Sequence, residues 1–109
     1  MPGPSVESLE KLIGTPRDGS LLRYSLGLEH LKMSQWGKAI GHLKQCLSFD
    51  PGYSAAWRAL GKALESDNRA SEALEAYRSG IAAAHKKGDK QAEKEMTVFA
   101  RRIEKRAAP

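Results

Sequence analysis

Displacing the chain by 34 positions against itself superimposes Ser20 on Ser54, Leu26 on Leu60, Gly27 on Gly61 and Ala39 on Ala73. Conservative pairs fill the intervals: Ile40 meets Leu74, Leu43 meets Tyr77, Lys44 meets Arg78 and Leu47 meets Ile81. A repeat of this length restricts the fold strongly. Each unit must be one supersecondary motif that stacks on its neighbour to bury an apolar face it cannot bury alone.

The punctuation of the copies defines that motif. Met33-Ser34-Gln35 and Asp67-Asn68-Arg69 break the apolar periodicity inside the two copies, and Asp50-Pro51-Gly52 separates them. Pro51 lacks a backbone donor and disfavours helix at Asp50, after which Ser54 is expected to cap the next helix with its hydroxyl. Ser5, Ser20 and Asp89 follow similar breakers and are expected to do the same. The pattern predicts helices at about 5–13, 20–33, 36–49, 54–66, 70–86 and 89–106. The expected fold is all-α and a single domain: 1–19 an N-terminal helix and linker, 20–53 and 54–87 the copies, 88–109 a capping helix and basic tail.

Helix pairs at this period, carrying Trp57, Leu60, Gly61 and Leu64 and then Ala73 and Tyr77, resemble the tetratricopeptide repeat signature Trp-x2-Leu-Gly-x2-Tyr, Ala-x3-Phe, Pro. The first copy offers Arg23, Leu26, Gly27 and His30, then Ala39, Leu43 and Pro51. Arg23 replaces the Trp, His30 and Leu64 replace the Tyr, and His85 stands at the second Pro position, which lets the fifth helix run on toward Gly88. The resemblance implies an alpha-alpha superhelix in which Gly27, Gly61, Ala39 and Ala73 sit where paired helices cross. Cys46 falls where the family carries a small residue, so a buried thiol is expected. Such arrays usually need about three repeats. The ends should therefore be covered, by Ala92, Met96, Phe99 and Ile103 on one face of the last helix and by Val6, Leu9, Leu12 and Ile13 on the first.

The resemblance further implies a concave surface lined by the first helix of each pair. Leu21, Tyr24, Leu28, Leu31 and Lys32 would face it from the first copy, and Ala55, Arg58, Lys62, Glu65 and Ser66 from the second. Tyr24, Leu28 and Leu31 form a helical stripe distinct from the Leu26–Gly27 face. That stripe needs a cover, which is either the chain's own first helix or a partner. Arg58 and Lys62 lie four apart beside it, so the expected partner is a protein or peptide segment with apolar side chains and a carboxylate. Where the family's clamp for acidic chaperone tails has a lysine and two asparagines, this chain has Tyr24, Leu28 and Ala59, which speaks against that ligand.

Two other readings come from charge and from the open ends. The net charge is +5, and residues 86–109 hold eight basic side chains against four acidic ones. A basic last helix is one route to nucleic acid, although its acidic residues dilute the field and no aromatic is interleaved on the charged face. Apolar ends also permit self-association into a homo-oligomer.

Catalytic and metal chemistry find no support in the sequence. His30, His42 and His85 contain no pair spaced i, i+4 for zinc; His30 reads as a satisfied structural ring, His42 and His85 as helix-surface residues. No phosphate loop or nucleophile elbow is present, and Cys46, the single cysteine, has no thiol to pair with. Glu72 with Glu75 and Glu93 with Glu95 read as solvated carboxylates. No catalytic residue, metal or cofactor is expected. Without an apolar run of about 20 residues or a secretion signal, the default expectation is a cytoplasmic protein with no membrane partner.

Overall fold

The computed structural model describes residues 5–107, which form α1 (Val6–Glu10), α2 (Ser20–Lys32), α3 (Trp36–Phe49), α4 (Ser54–Ser66), α5 (Ala70–Lys87) and α6 (Lys90–Ala107). No strand occurs among these residues. The outermost parts of the expected end segments, 1–4 and 108–109, lie outside them.

Local chemistry accounts for most boundaries. Inside each copy the turn is made by a residue with positive φ, Ser34 at 57° and Asn68 at 58°. Asn visits this region at modest cost, whereas Ser at Ser34 must be held there by its surroundings. The amide of Gln35 then donates to the carbonyl of His30, as that of Arg69 does to Leu64, so the same closing bond recurs one period later. Gly88 (φ 76°) ends α5 in the left-handed region that glycine adopts freely.

Three local expectations are corrected. The first helix stops at Glu10 instead of continuing to residue 13, because the amides of Leu12 and Ile13 bond to carbonyls only three residues back and Gly14 then turns with φ 79°. Ser20 and Ser54 are not caps. Gly19 and Tyr53 hold those positions without a side-chain cap bond, while the buried Ser54 hydroxyl donates to Asp89 Oδ2 at 3.3 Å. Ser5 and Asp89 do cap, accepting from the amides of Ser8 and Ala92 respectively.

Each helix packs on the next, and the first helices of the pairs also meet, α2 with α4 and α4 with α6. The small residues are where the paired helices touch. A β-carbon on Gly27 would fall 2.6 Å from Leu43 Cγ, and one on Gly61 would fall 2.6 Å from Tyr77 Cδ1, so neither position admits a side chain without displacement. Leu26, Ala39, Leu43, Cys46, Ala56, Ala63, Ala73 and Tyr77 are fully enclosed around these crossings. Leu60 and Leu64 are buried beside them, and Trp57 packs from the edge with its indole N–H donated to the Pro51 carbonyl at 2.8 Å.

The last helix seals the second copy as expected. Met96 and Ile103 are buried, and Ala92 and Phe99 pack against the core. At the other end α1 meets α2 and no other helix, with Val6, Leu9, Leu12 and Ile13 half-buried. Among the described residues no helix is long and apolar enough to cross a membrane.

Candidate functional site

The row of first helices, α2, α4 and α6, carries the residues expected to receive a partner. On α2, Leu21 is 68% exposed, while Tyr24, Leu28 and Leu31 are half-buried and rest their inner sides on the core. The Tyr24 ring lies 4.9 Å from that of Tyr53, at a tilt of 33°, and so joins α2 to the start of α4.

On α4 the two expected cations are engaged differently. Arg58 Nη1 donates to Glu95 Oε2 of α6 at 2.5 Å, which holds the Glu95 carboxyl below its ordinary pKa. Lys62 forms no ion pair among the described residues; its ammonium stands 4.2 Å from the centre of the Phe99 ring, within cation–π range. The stripe, the tyrosine pair and these cations thus sit along one row of helices. Arg58 is already paired, whereas Lys62 keeps an exposed ammonium.

A hollow of about 230 Å³ opens between α4 and α6, lined by Ser54, Ala55, Arg58, Asp89, Gln91, Ala92 and Glu95. Ala55 and Arg58 were already placed together on this side of α4 by the sequence. Asp89, Gln91 and Glu95 were not, since their approach to α4 depends on the angle at which α6 stacks, and only the capping role of Asp89 left a local signal. Lys32 is paired with Glu29, and Glu65 accepts the Tyr77 hydroxyl at 2.6 Å and Arg106 at 3.0 Å, so both are held by their own chain.

The contacts between α2 and α3 correct the reading of His42. Its ring is half-buried and stacked on that of His30, and Arg23 Nη1 lies 3.3 Å from its Nδ1. A guanidinium only donates, so His42 Nδ1 is the acceptor and the proton of the neutral ring sits on Nε2. Burial, Arg23 and His30 together push the His42 pKa below its ordinary value. His30 is enclosed, with Nδ1 2.6 Å from Gln35 Oε1, as expected of a structural ring. Glu95 and Glu93 also depart from the solvated reading, since Glu93 meets His85 Nδ1 at 3.0 Å. Among the described residues no cluster of three metal-ligating side chains occurs.

The profile of the tetratricopeptide repeat family matches residues 30–93, more than half of the chain. This chain belongs to the tetratricopeptide repeat family. It is 43% identical over 100 residues to the TPR repeat-containing protein PA0015 of Pseudomonas aeruginosa, a match covering 92% of this chain and 95% of that one. The solution structure of protein BPP2914 from Bordetella parapertussis is similar, with a TM-score of 0.81 and 40% identity over 94% of this chain and 90% of that one. A tetratricopeptide repeat domain protein from Salinibacter ruber has a TM-score of 0.74 at 29% identity, covering 82% and 89% of the two chains. The helix-pair superhelix seen here is therefore that of its tetratricopeptide relatives.

Proposed function

We propose that this tetratricopeptide protein is a non-catalytic adaptor that holds a segment of a protein partner along the row α2, α4 and α6. Tetratricopeptide repeats typically mediate protein–protein interaction and are generally non-catalytic. The observation that supports the reading most directly is the combination of exposed Leu21 and half-exposed Tyr24, Leu28 and Leu31 with Lys62, a cation lacking a carboxylate partner among the described residues. An apolar stripe with such a charge beside it suits a segment with apolar side chains and a carboxylate. Arg58 joins only by exchanging Glu95 for the ligand, so Lys62 takes the first charge-assisted bond and Arg58 the second.

Titrating the isotopically labelled protein with acidic-apolar peptides tests this. Binding should shift the signals of Tyr24, Leu28 and Lys62, weaken in Leu28→Asp, and strengthen in Glu95→Gln, which releases Arg58. A panel in which binders leave those signals unmoved, or in which Lys62→Glu binds the acidic peptides as well as the parent, would overturn it.

A further inference from the structure

A second surface lies at the far end of the array, away from the proposed groove. Between the last turns of α5 and the outer side of α6 is a hollow of about 570 Å³, lined by His85, Gly88, Lys90, Glu93, Lys94, Thr97, Val98 and Arg101. Its position follows from the repeat. Helices α4 and α6 begin at Ser54 and Lys90, so Thr97 is the counterpart of Gly61 and Glu93 that of Trp57. On α4 this side receives α5, with the Tyr77 ring against Gly61. On α6 the described residues supply no helix to take that place.

The chemistry of the hollow differs from that of the α4 surface. Val98 is 51% exposed at its floor, and the Thr97 hydroxyl is turned back to the Glu93 carbonyl at 2.7 Å, which spends its donor within the helix. Lys90, Lys94 and Arg101 surround this floor, and none of them forms an ion pair among the described residues. The one carboxylate present, Glu93, is taken by His85. A hollow about three helical turns long, with the exposed Val98 as its apolar side chain and cations without counter-charges at its rim, is complementary to a helix with an apolar anchor and acidic flanks.

We infer that the α5–α6 hollow docks an acidic amphipathic helix of a protein partner, in the place a further repeat helix would occupy. Such a helix sets its apolar ridge on Val98 and Thr97 and its carboxylates against Lys90, Lys94 and Arg101. A phosphate backbone fits less well: the Glu93 carboxylate lines the hollow, and no Phe, Tyr or Trp ring lines it for a base to stack on.

The test uses the full chain and a synthetic helical peptide with leucines three and four apart and glutamates on both flanks. Controls are the same residues scrambled and a version with lysine in place of glutamate. The amide signals of Thr97, Val98 and Arg101 should shift. Affinity should fall about tenfold in the double variant Lys94→Glu, Arg101→Glu, and similarly in Val98→Asp. The shifts of Thr97, Val98 and Arg101 should persist in Lys62→Glu even where that variant loses binding in the groove on the first-helix row, which separates the two sites. These positions are exposed, and a thermal melt confirms that each variant is folded. Equal binding of the scrambled peptide, no loss in the double variant, or shifts confined to Tyr24 and Lys62 would overturn the inference. So would tighter binding of an RNA oligonucleotide through Lys94 and Arg101, or a dimer in sedimentation that Val98→Asp disperses.

Discussion

The imidazole rings of His30 and His42 lie face to face, 5.4 Å apart and within 6° of parallel, joining the two helices of the first repeat. Arg23 holds His42 from one side, and Asp18 in turn holds Arg23 at 2.9 Å. The stack favours a neutral His42 ring, because protonation of His42 sets a charge against Arg23.

Stability should therefore fall in mild acid. Folding lowers the proton affinity of His42, so the unfolded chain takes up that proton first. The contribution is whole above the ordinary value of 6.5 and is lost as pH drops below it toward the depressed folded value. Asp18, held at about 2 by its bonds to Arg23 and to the Gly14 amide, acts lower; its contribution persists above its ordinary 3.8 and disappears only as pH falls toward 2. Urea midpoints measured across neutral to weakly acidic pH should decline in the parent, and the decline should be smaller in His42→Gln, which retains an acceptor for Arg23.

Two glycines in helix interiors should respond in opposite directions to alanine. Gly61→Ala forces a methyl into the Tyr77 ring and should cost about 1–3 kcal/mol. Gly41 on α3 has nothing within 4 Å of the new β-carbon, so Gly41→Ala should stabilise by about 0.5–1 kcal/mol through helix propensity alone. Chemical denaturation of both variants decides the matter.

Tyr77 is fully buried, and its hydroxyl reaches outward to Glu65. Burial and that bond both raise the phenol pKa, so it stays protonated and donating. Glu65→Ala leaves the hydroxyl without its acceptor and should cost about 1–3 kcal/mol. In a Tyr77→Phe background the same substitution should cost markedly less, a difference that a double-mutant cycle measures directly.

Cys46 has no exposed surface, and burial followed by the charge of Asp50 raises its thiol to about 11. It should be inert to thiol reagents in the folded protein and react in denaturing urea. Fast labelling in native buffer would show that α3 opens locally.

The repeat, its helix pairs and their turns were legible because they rest on neighbours close in the chain. Pro51, the apolar period, Gly88 and the small residues at 27 and 61 each act within a few positions or recur at a fixed distance. Even there, Ser54 misled as a cap: a serine before a helix carries one signal whether its hydroxyl turns to its own backbone or to Asp89. The site is another matter. Arg58 and Lys62 could be placed on one side of α4 from their spacing, but Glu95 and Phe99, which engage them, come from a helix more than thirty positions away. The stacking of His42 on His30 depends likewise on how α2 and α3 face each other. Periodicity fixes the face of a helix on which a side chain stands; what it meets there depends on the angle between helices, which packing sets only once the whole array is assembled.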